Sequence, residues 1–153
     1  MGFPPVYDAH SKVLILGSFP SVKSREVAFY YGNKRNRFWK MLFSFFKEEP
    51  ISSIDGKKEF LLRHGIALWD IATECKIQGS SDASLTEPKI ADLTPILQTA
   101  KLQAILLNGS TAYQLFCSRY AGLEIPYYKL PSTSPANPRF DEEAWKERLY
   151  DLR

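Results

Sequence analysis

Cysteine, histidine and methionine are each present only twice in 153 residues. Cys75 and Cys117 are far apart and have no cysteine or histidine at ligand spacing, which argues against a structural zinc or iron–sulfur site. A disulfide between them is not expected in a reducing cytosol. His10 sits near the N-terminus and His64 in the last turn of an expected helix, where a cation complements the dipole. They are a poor basis for a triad or a metal centre. Cys117 falls within a helical pattern and reads as packing. Apolar runs such as Val13–Leu16 fall far short of the ~18 residues of a membrane span. No basic start followed by an apolar stretch opens the chain, so the expected location is cytoplasmic, with no membrane association. There is no Gly-x-Gly-x-x-Gly, no phosphate-cradling P-loop and no Gly-x-Ser-x-Gly elbow. Ser18 follows Gly17, but Pro20 replaces the elbow's second glycine. Neither a cofactor nor a metal is expected.

What is present fits one soluble domain spanning residues 1–153. Chains of this length bury roughly 68–70% of their unfolded surface. Hydrophobic residues make up 44% and charged residues 24%. Net charge is +3, from 20 basic and 17 acidic residues, and its distribution says more than its size. Lys23, Arg25, Lys34, Arg35, Arg37 and Lys40 stand against the lone Glu26 in residues 23–40. The same stretch carries Phe29, Tyr30, Tyr31, Phe38 and Trp39. Basic groups interleaved with rings suit nucleic acid, through phosphate contacts and base stacking. A solvated basic surface over core aromatics accounts for the composition equally well.

Local pattern gives the architecture. Val13–Leu16 reads as a buried strand ended by Gly17. Across Asn36–Phe46, Phe38, Met41, Leu42, Phe45 and Phe46 share one helical face. Asp55 can cap a helix through Phe60 and Leu61, with Gly65 at its left-handed C-terminal position. Ile66–Asp70 reads as a second strand and residues 76–88 as a polar loop. Pro95 suits the first turn of a helix ending near Ala100. Gln103–Leu107 is a third strand, and Ser110 or Thr111 can cap the helix after it. Ile125–Leu130 is a fourth strand. Pro131–Pro138 is a rigid loop with three prolines, and Asp141 opens a last helix with Trp145 and Leu149 inward. Alternating strands and helices give a three-layer α/β fold, with a central, mainly parallel four-stranded sheet flanked by helices. Ligands of such sheets bind beyond the carboxyl ends of the strands. That gathers Gly17–Ser21, Asp70–Glu74, Asn108–Gly109 and Pro131–Asn137 around one cleft.

Three segments stand out. One is Gly17-Ser18-Phe19-Pro20-Ser21 with the downstream run Tyr30-Tyr31-Gly32-Asn33-Lys34-Arg35-Asn36-Arg37-Phe38-Trp39. The others are Leu107-Asn108-Gly109-Ser110 and Leu130-Pro131-Ser132-Thr133-Ser134-Pro135-Ala136-Asn137. Together they resemble the uracil-DNA glycosylase superfamily, most closely its hypoxanthine-DNA (deoxyinosine) glycosylase branch. The Asn36–Trp39 core and the aromatic pair before it are also similar to the mismatch-specific uracil and thymine glycosylases.

The resemblance implies a DNA-binding monomer that removes a deaminated base, hypoxanthine first, in base excision repair. Such an enzyme must take the base out of the duplex and enclose it. Gly17 lets backbone approach the flipped nucleotide closely, and the amides of Ser18 and Phe19 can donate to a base carbonyl. By resemblance Tyr31 stacks on the base; its structural alternative is a core ring beside Phe38. Asn108 can donate to and accept from the base edge, or simply form a turn before Gly109. Sister families keep an aspartate or asparagine where Phe19 stands. The hypoxanthine branch uses the asparagine matching Asn36 to position water, a residue equally suited to cap the helix that follows. Pro131, Ser132, Thr133, Ser134 and Pro135 would pinch the DNA backbone, with Ser21, Lys23 and Ser24 holding phosphates opposite. Two other readings stay open at this point: a mismatch-specific uracil glycosylase and a non-catalytic nucleic-acid binding module.

Overall fold

A computed structural model describes residues 4–18, 30–31, 35–74 and 89–152. Its central sheet is built from β1 (Val13–Gly17), β2 (Ile66–Asp70), β5 (Ala104–Asn108) and β6 (Tyr127–Leu130), all parallel, in the order β2-β1-β5-β6. A separate antiparallel pair joins β3 (Ala72–Glu74) to β4 (Lys89–Ile90). The helices are α1 (Phe38–Phe45), α2 (Ile54–Arg63), α3 (Thr94–Thr99), α4 (Ser110–Tyr120) and α5 (Glu142–Leu149).

The alternation of side chains along a strand explains the three layers. On β1, Val13 and Ile15 face a core shared with Phe38, Leu42, Phe60, Trp145 and Leu149, from α1, α2 and α5. Leu14 and Leu16 face the opposite core, with Ile96, Ala112 and Phe116 from α3 and α4. A strand buried on both faces must be apolar throughout, as β1 is. Removing a side chain such as Phe38 from water stabilises the fold by ~1.5–3 kcal/mol.

The expected α/β sheet is therefore the observed one, with differences at element ends. Ser53 caps α2, its Oγ accepting from the Gly56 N–H at 3.0 Å. Asp55 lies inside the helix, in the first turn, where its charge faces the positive end of the dipole. Gly109 precedes α4 with φ +97°, and neither Ser110 nor Thr111 caps it. The third strand runs one residue further than expected, to Asn108, and the fourth begins later, at Tyr127. Helix α1 starts at Phe38, two residues after Asn36. Gly65 takes the expected left-handed backbone at φ +73°, and Asp141 caps α5 through the Glu143 N–H. The antiparallel β3–β4 pair is an addition to the expected elements, and the polar loop expected at residues 76–88 lies outside the described residues.

Candidate active site at the carboxyl edge of the sheet

The sheet register puts the polar ends of three strands side by side. Gly17 pairs with Asp70 across β1 and β2, and Asn108 with Leu130 across β5 and β6. Beyond Leu130 the serine–proline loop turns back over Asn108. The Asn108 carbonyl oxygen accepts the Thr133 backbone N–H, and its amide nitrogen donates to Thr133 Oγ1, both at 3.0 Å. Both residues are buried. An asparagine can make four such bonds, and the Tyr31 hydroxyl lies within reach of the Asn108 side chain for a further one.

The loop is fixed from several sides. Arg37 N–H donates to the Thr133 carbonyl at 3.1 Å. The Arg37 guanidinium donates to the carbonyls of Ser134 and Asn137, at 2.5 and 2.7 Å, and lies over the Phe140 ring. Trp145 Nε1 donates to the Pro131 carbonyl at 2.7 Å. The Ser132 and Ser134 hydroxyls each accept a backbone N–H two residues ahead. Each keeps its own O–H to donate outward, to a phosphate oxygen for example. Pro135 is exposed at the tip, and Pro131 is partly covered. Five of the expected DNA-binding positions, Pro131 to Pro135, thus form one preorganised loop.

Asn36 sits at the start of α1, where its Oδ1 accepts the Phe38 N–H at 2.9 Å. The N-cap itself is Arg37, with no side-chain cap, so Asn36 lies one residue before it and holds the helix start by an Asx-type turn rather than as the expected N-cap. That bond uses one lone pair of Oδ1 and leaves Nδ2 and the second lone pair, on a partly exposed side chain. Turn formation and water positioning are compatible at one residue.

Around Gly17 the structure departs from expectation. The space a side chain would take there holds protein: a Cβ on Gly17 would stand 2.6 Å from Asp70 Oδ1 and 2.7 Å from Tyr31 Oη. Glycine is needed at this point because two polar side chains close over it. Tyr31 has φ +54°, uncommon for a ring-bearing residue, and packs its ring on Phe38 with 4.2 Å between centroids. The core contact with Phe38 is thus present, with a second, tilted ring contact to Tyr30 at 6.5 Å. The Tyr31 hydroxyl is buried and makes no well-aligned hydrogen bond among the described residues, the Asn108 side chain being its polar neighbour. Burial, then the Asp70 carboxyl, pushes the phenol far above its ordinary range, while the Asn108 side chain pulls it back.

Asp70 is a buried acid at this edge that pattern reading did not single out. Its segment lay at the expected cleft, but an acid after Ile66–Trp69 looks like an ordinary strand end. The residue is 3% exposed, and its Oδ2 has no hydrogen-bond partner among the described residues. Desolvation raises its pKa from 3.8 to about 7. The signal available in the sequence was an acid closing a buried parallel strand at the carboxyl edge.

Ser18 is partly covered, just past β1, with its carbonyl accepting the Ala72 N–H at 2.9 Å. Phe19, Ser21, Lys23 and Ser24 lie outside the described residues. His64 stands at the other end of β2 from Asp70, paired with Glu48 and stacked on Phe46 at 3.9 Å. Among the described residues, no three His, Cys, Asp or Glu side chains cluster as metal ligands would. No helix among them is long and apolar enough to cross a membrane.

Comparison with known proteins places this architecture. The family model of the uracil DNA glycosylase superfamily matches residues 4–153. A hypoxanthine DNA glycosylase of Methanosarcina acetivorans is 34% identical over 148 residues, covering 95% of this chain and 93% of its own length. A hypoxanthine DNA glycosylase of Methanosarcina barkeri is 36% identical over 110 residues, covering 71% of this chain and 70% of its own. A solution NMR structure from M. acetivorans, provisionally named a uracil DNA glycosylase, superposes with a TM-score of 0.85 at 32% identity. It covers 99% of this chain and 96% of its own. With a family match over nearly its whole length and relatives above 30% identity, the chain belongs to the uracil-DNA glycosylase superfamily.

Proposed function

We propose that this protein is a monofunctional DNA glycosylase that hydrolyses the N-glycosidic bond of deaminated bases, hypoxanthine first. The observation that carries the reading is the hydrogen-bonded chain from Arg37 through Thr133 to Asn108. It draws three segments far apart in sequence to one edge of the sheet: the start of α1 with Asn36, the end of β5 and the serine–proline loop. The relatives named hypoxanthine DNA glycosylase support the choice of base.

The chemistry is a substitution at the sugar. The C1′–N9 bond breaks, its electron pair leaves with the purine, and water oxygen bonds to C1′. The water's proton is released, and the departing base takes one up. Because the transition state resembles an oxocarbenium ion, a strong base is not required. The Asn36 amide can orient water against C1′ from the mouth of the site, at a residue held by the α1 backbone. Orientation of this kind lowers the barrier by removing freedom in advance. The Ser132 and Ser134 hydroxyls and the loop backbone can grip phosphates while the base is turned out. None of the described site residues is a lysine, so no Schiff base is invoked and the product is an abasic site plus free base. The DNA backbone adds negative charge near the cation that develops on the sugar.

The test uses oligonucleotides with a single deoxyinosine, a single uracil or normal bases only, incubated with protein and then treated with alkali. Cleavage at deoxyinosine is expected, well above cleavage at uracil. Strong preference for uracil favours the mismatch-specific reading. Binding without base release at any site favours a non-catalytic module.

A further inference from the structure

We propose that Arg37 is a positioning residue of this reaction. It draws the carbonyl oxygens of the serine–proline loop into protein hydrogen bonds, so that the loop meets phosphates with donors. It also ties that grip to Asn36, through the peptide the two residues share. The inference rests on the glycosylase reading above and adds the residue that makes the loop and the water-orienting amide act together.

The backbone acceptors carry the first half. Carbonyl and phosphate oxygens are both acceptors, so a loop that binds phosphate must keep its carbonyls occupied elsewhere. Arg37 takes three of them. Its backbone N–H donates to the Thr133 carbonyl, and its Nη2 to the carbonyls of Ser134 and Asn137. Trp145 Nε1 takes the Pro131 carbonyl, and Asn137 Nδ2 the Ser132 carbonyl at 2.9 Å. Every carbonyl from Pro131 to Ser134 is thus engaged within the protein. The Ser132 and Ser134 hydroxyls accept backbone N–H groups and keep their protons to give. A loop bonded in this way offers donors to an anion and costs little further ordering when it binds.

The charge of Arg37 serves the same end. Among the described residues no carboxylate forms an ion pair with its guanidinium, which rests over the Phe140 ring at 4.6 Å. The Nε atom is buried. A positive charge partly shielded from water, set behind the loop, favours an anion on the loop's outer face. The basic stretch of residues 23–40 suggested phosphate contact at the surface. Arg37, within that stretch, works instead from behind the loop that makes the contact.

The second half rests on one peptide. The N–H that Thr133 accepts lies in the bond joining Asn36 to Arg37, and the Asn36 side chain accepts the Phe38 N–H just beyond. The backbone that carries Asn36 is therefore fixed from the loop side by Thr133, itself fastened to Asn108. A loop that leaves its seat takes the Thr133 carbonyl off that peptide and frees the aim of Asn36. The guanidinium prevents this by holding the loop at Ser134 and Asn137, beyond Thr133. Gripping DNA and orienting water are then one event, since both need the same seated loop.

The test uses wild type, Arg37→Met, Arg37→Lys and Asn137→Ala, each with a melting curve. Affinity for duplex DNA holding an abasic site is measured against salt, and base release from deoxyinosine DNA in single turnover at saturating protein. Arg37→Met should bind abasic DNA at least about tenfold more weakly, with a shallower salt slope, and release base at least about tenfold more slowly when saturated. Both side-chain bonds come from one nitrogen, so the ammonium of Arg37→Lys can meet the same carbonyls and should recover most of the affinity. In an Asn36→Ser background, Arg37→Met should slow the saturated rate no further, because the aim it protects is already lost. An equal further drop there overturns the link to Asn36. If Arg37→Met does not fold, Asn137→Ala decides: it frees the Ser132 carbonyl and should also weaken binding to abasic DNA. A folded Arg37→Met, or in its place Asn137→Ala, with wild-type affinity and salt slope overturns the proposal, as does an Arg37→Lys as weak as Arg37→Met. Wild type that binds DNA but releases no base refutes the glycosylase reading itself, while the affinity measurements still decide whether Arg37 sets the grip.

Discussion

Asn108 and Thr133 hold each other by two reciprocal hydrogen bonds of 3.0 Å, side chain to backbone and side chain to side chain, with both residues buried. They are 25 residues apart, so the pair fixes where the loop after β6 sits relative to the end of β5. The loop that would grip DNA and the amide that would touch a base are one mechanical unit.

Removing that unit should cost both stability and activity. Asn108→Ala leaves the Thr133 N–H buried without an acceptor, a loss of about 1–3 kcal/mol. Thr133→Ala removes only the hydroxyl and should cost roughly 1 kcal/mol. Denaturant melts of both variants and the double variant give the coupling directly. Independent, additive effects would show that the two residues do not act as a pair.

Asn36 has a turn-forming bond to the Phe38 N–H just ahead of α1 and a catalytic role proposed for it, and substitutions separate them. Asn36→Ala should lose ~1 kcal/mol of stability and roughly 10²–10⁴ in rate, with affinity for abasic DNA nearly unchanged. Asn36→Ser restores a turn-forming acceptor but has a shorter arm. It should melt with wild type and remain slow. An Asn36→Ser variant with full activity would reduce Asn36 to a turn former.

Gly17→Ala tests the crowding over β1. The new methyl would stand 2.6 Å from Asp70 Oδ1 and 2.7 Å from Tyr31 Oη, closer than carbon and oxygen approach. Overpacking of this kind costs typically ~1–3 kcal/mol, and both polar groups must shift. A lowered melting temperature with a large loss of base release is expected. A wild-type melt and rate would mean the space over Gly17 is open.

Asp70 also predicts a pH dependence of stability with a definite sign. The folded acid keeps its proton to about pH 7, whereas the unfolded chain releases it near 3.8. The folded state binds more protons between those values, so stability falls as pH rises through that window and levels off above it. The full amplitude is on the order of 4 kcal/mol, at ~1.4 per unit. Asp70→Asn should lack this component, seen as a flatter profile of unfolding free energy from pH 4 to pH 8. Parallel profiles for the two proteins would contradict the burial argument.

How much of this was legible in the chain differs by residue. The four-strand sheet was readable because β1 is apolar throughout and β2 and β5 are apolar up to their closing residues, Asp70 and Asn108. Helix starts were harder. Ser53 and Asp55 both suit a cap by type, and only backbone geometry selects Ser53. Glycine stands before α4 because φ there is +97° and because a side chain would crowd Ser132, whose Cβ is 3.1 Å from where a Gly109 Cβ would stand. That contact arises between residues distant in sequence. The loop motif was legible as a composition, but its anchoring by Arg37 and Trp145 depends on tertiary position. Asp70 went unmarked for the same reason: a carboxyl's burial is set by what packs around it, not by its neighbours in the chain.

The central claim, that this protein releases a deaminated base, is tested most directly by detecting that base. Duplex DNA with one deoxyinosine is incubated with wild type and with Asn36→Ser, and the small-molecule fraction is measured by mass spectrometry for free hypoxanthine. The account predicts stoichiometric hypoxanthine with an abasic strand for wild type, and a rate lower by roughly 10²-fold or more for the variant. Intact deoxyinosine strands after prolonged incubation with folded, DNA-binding wild type would contradict it.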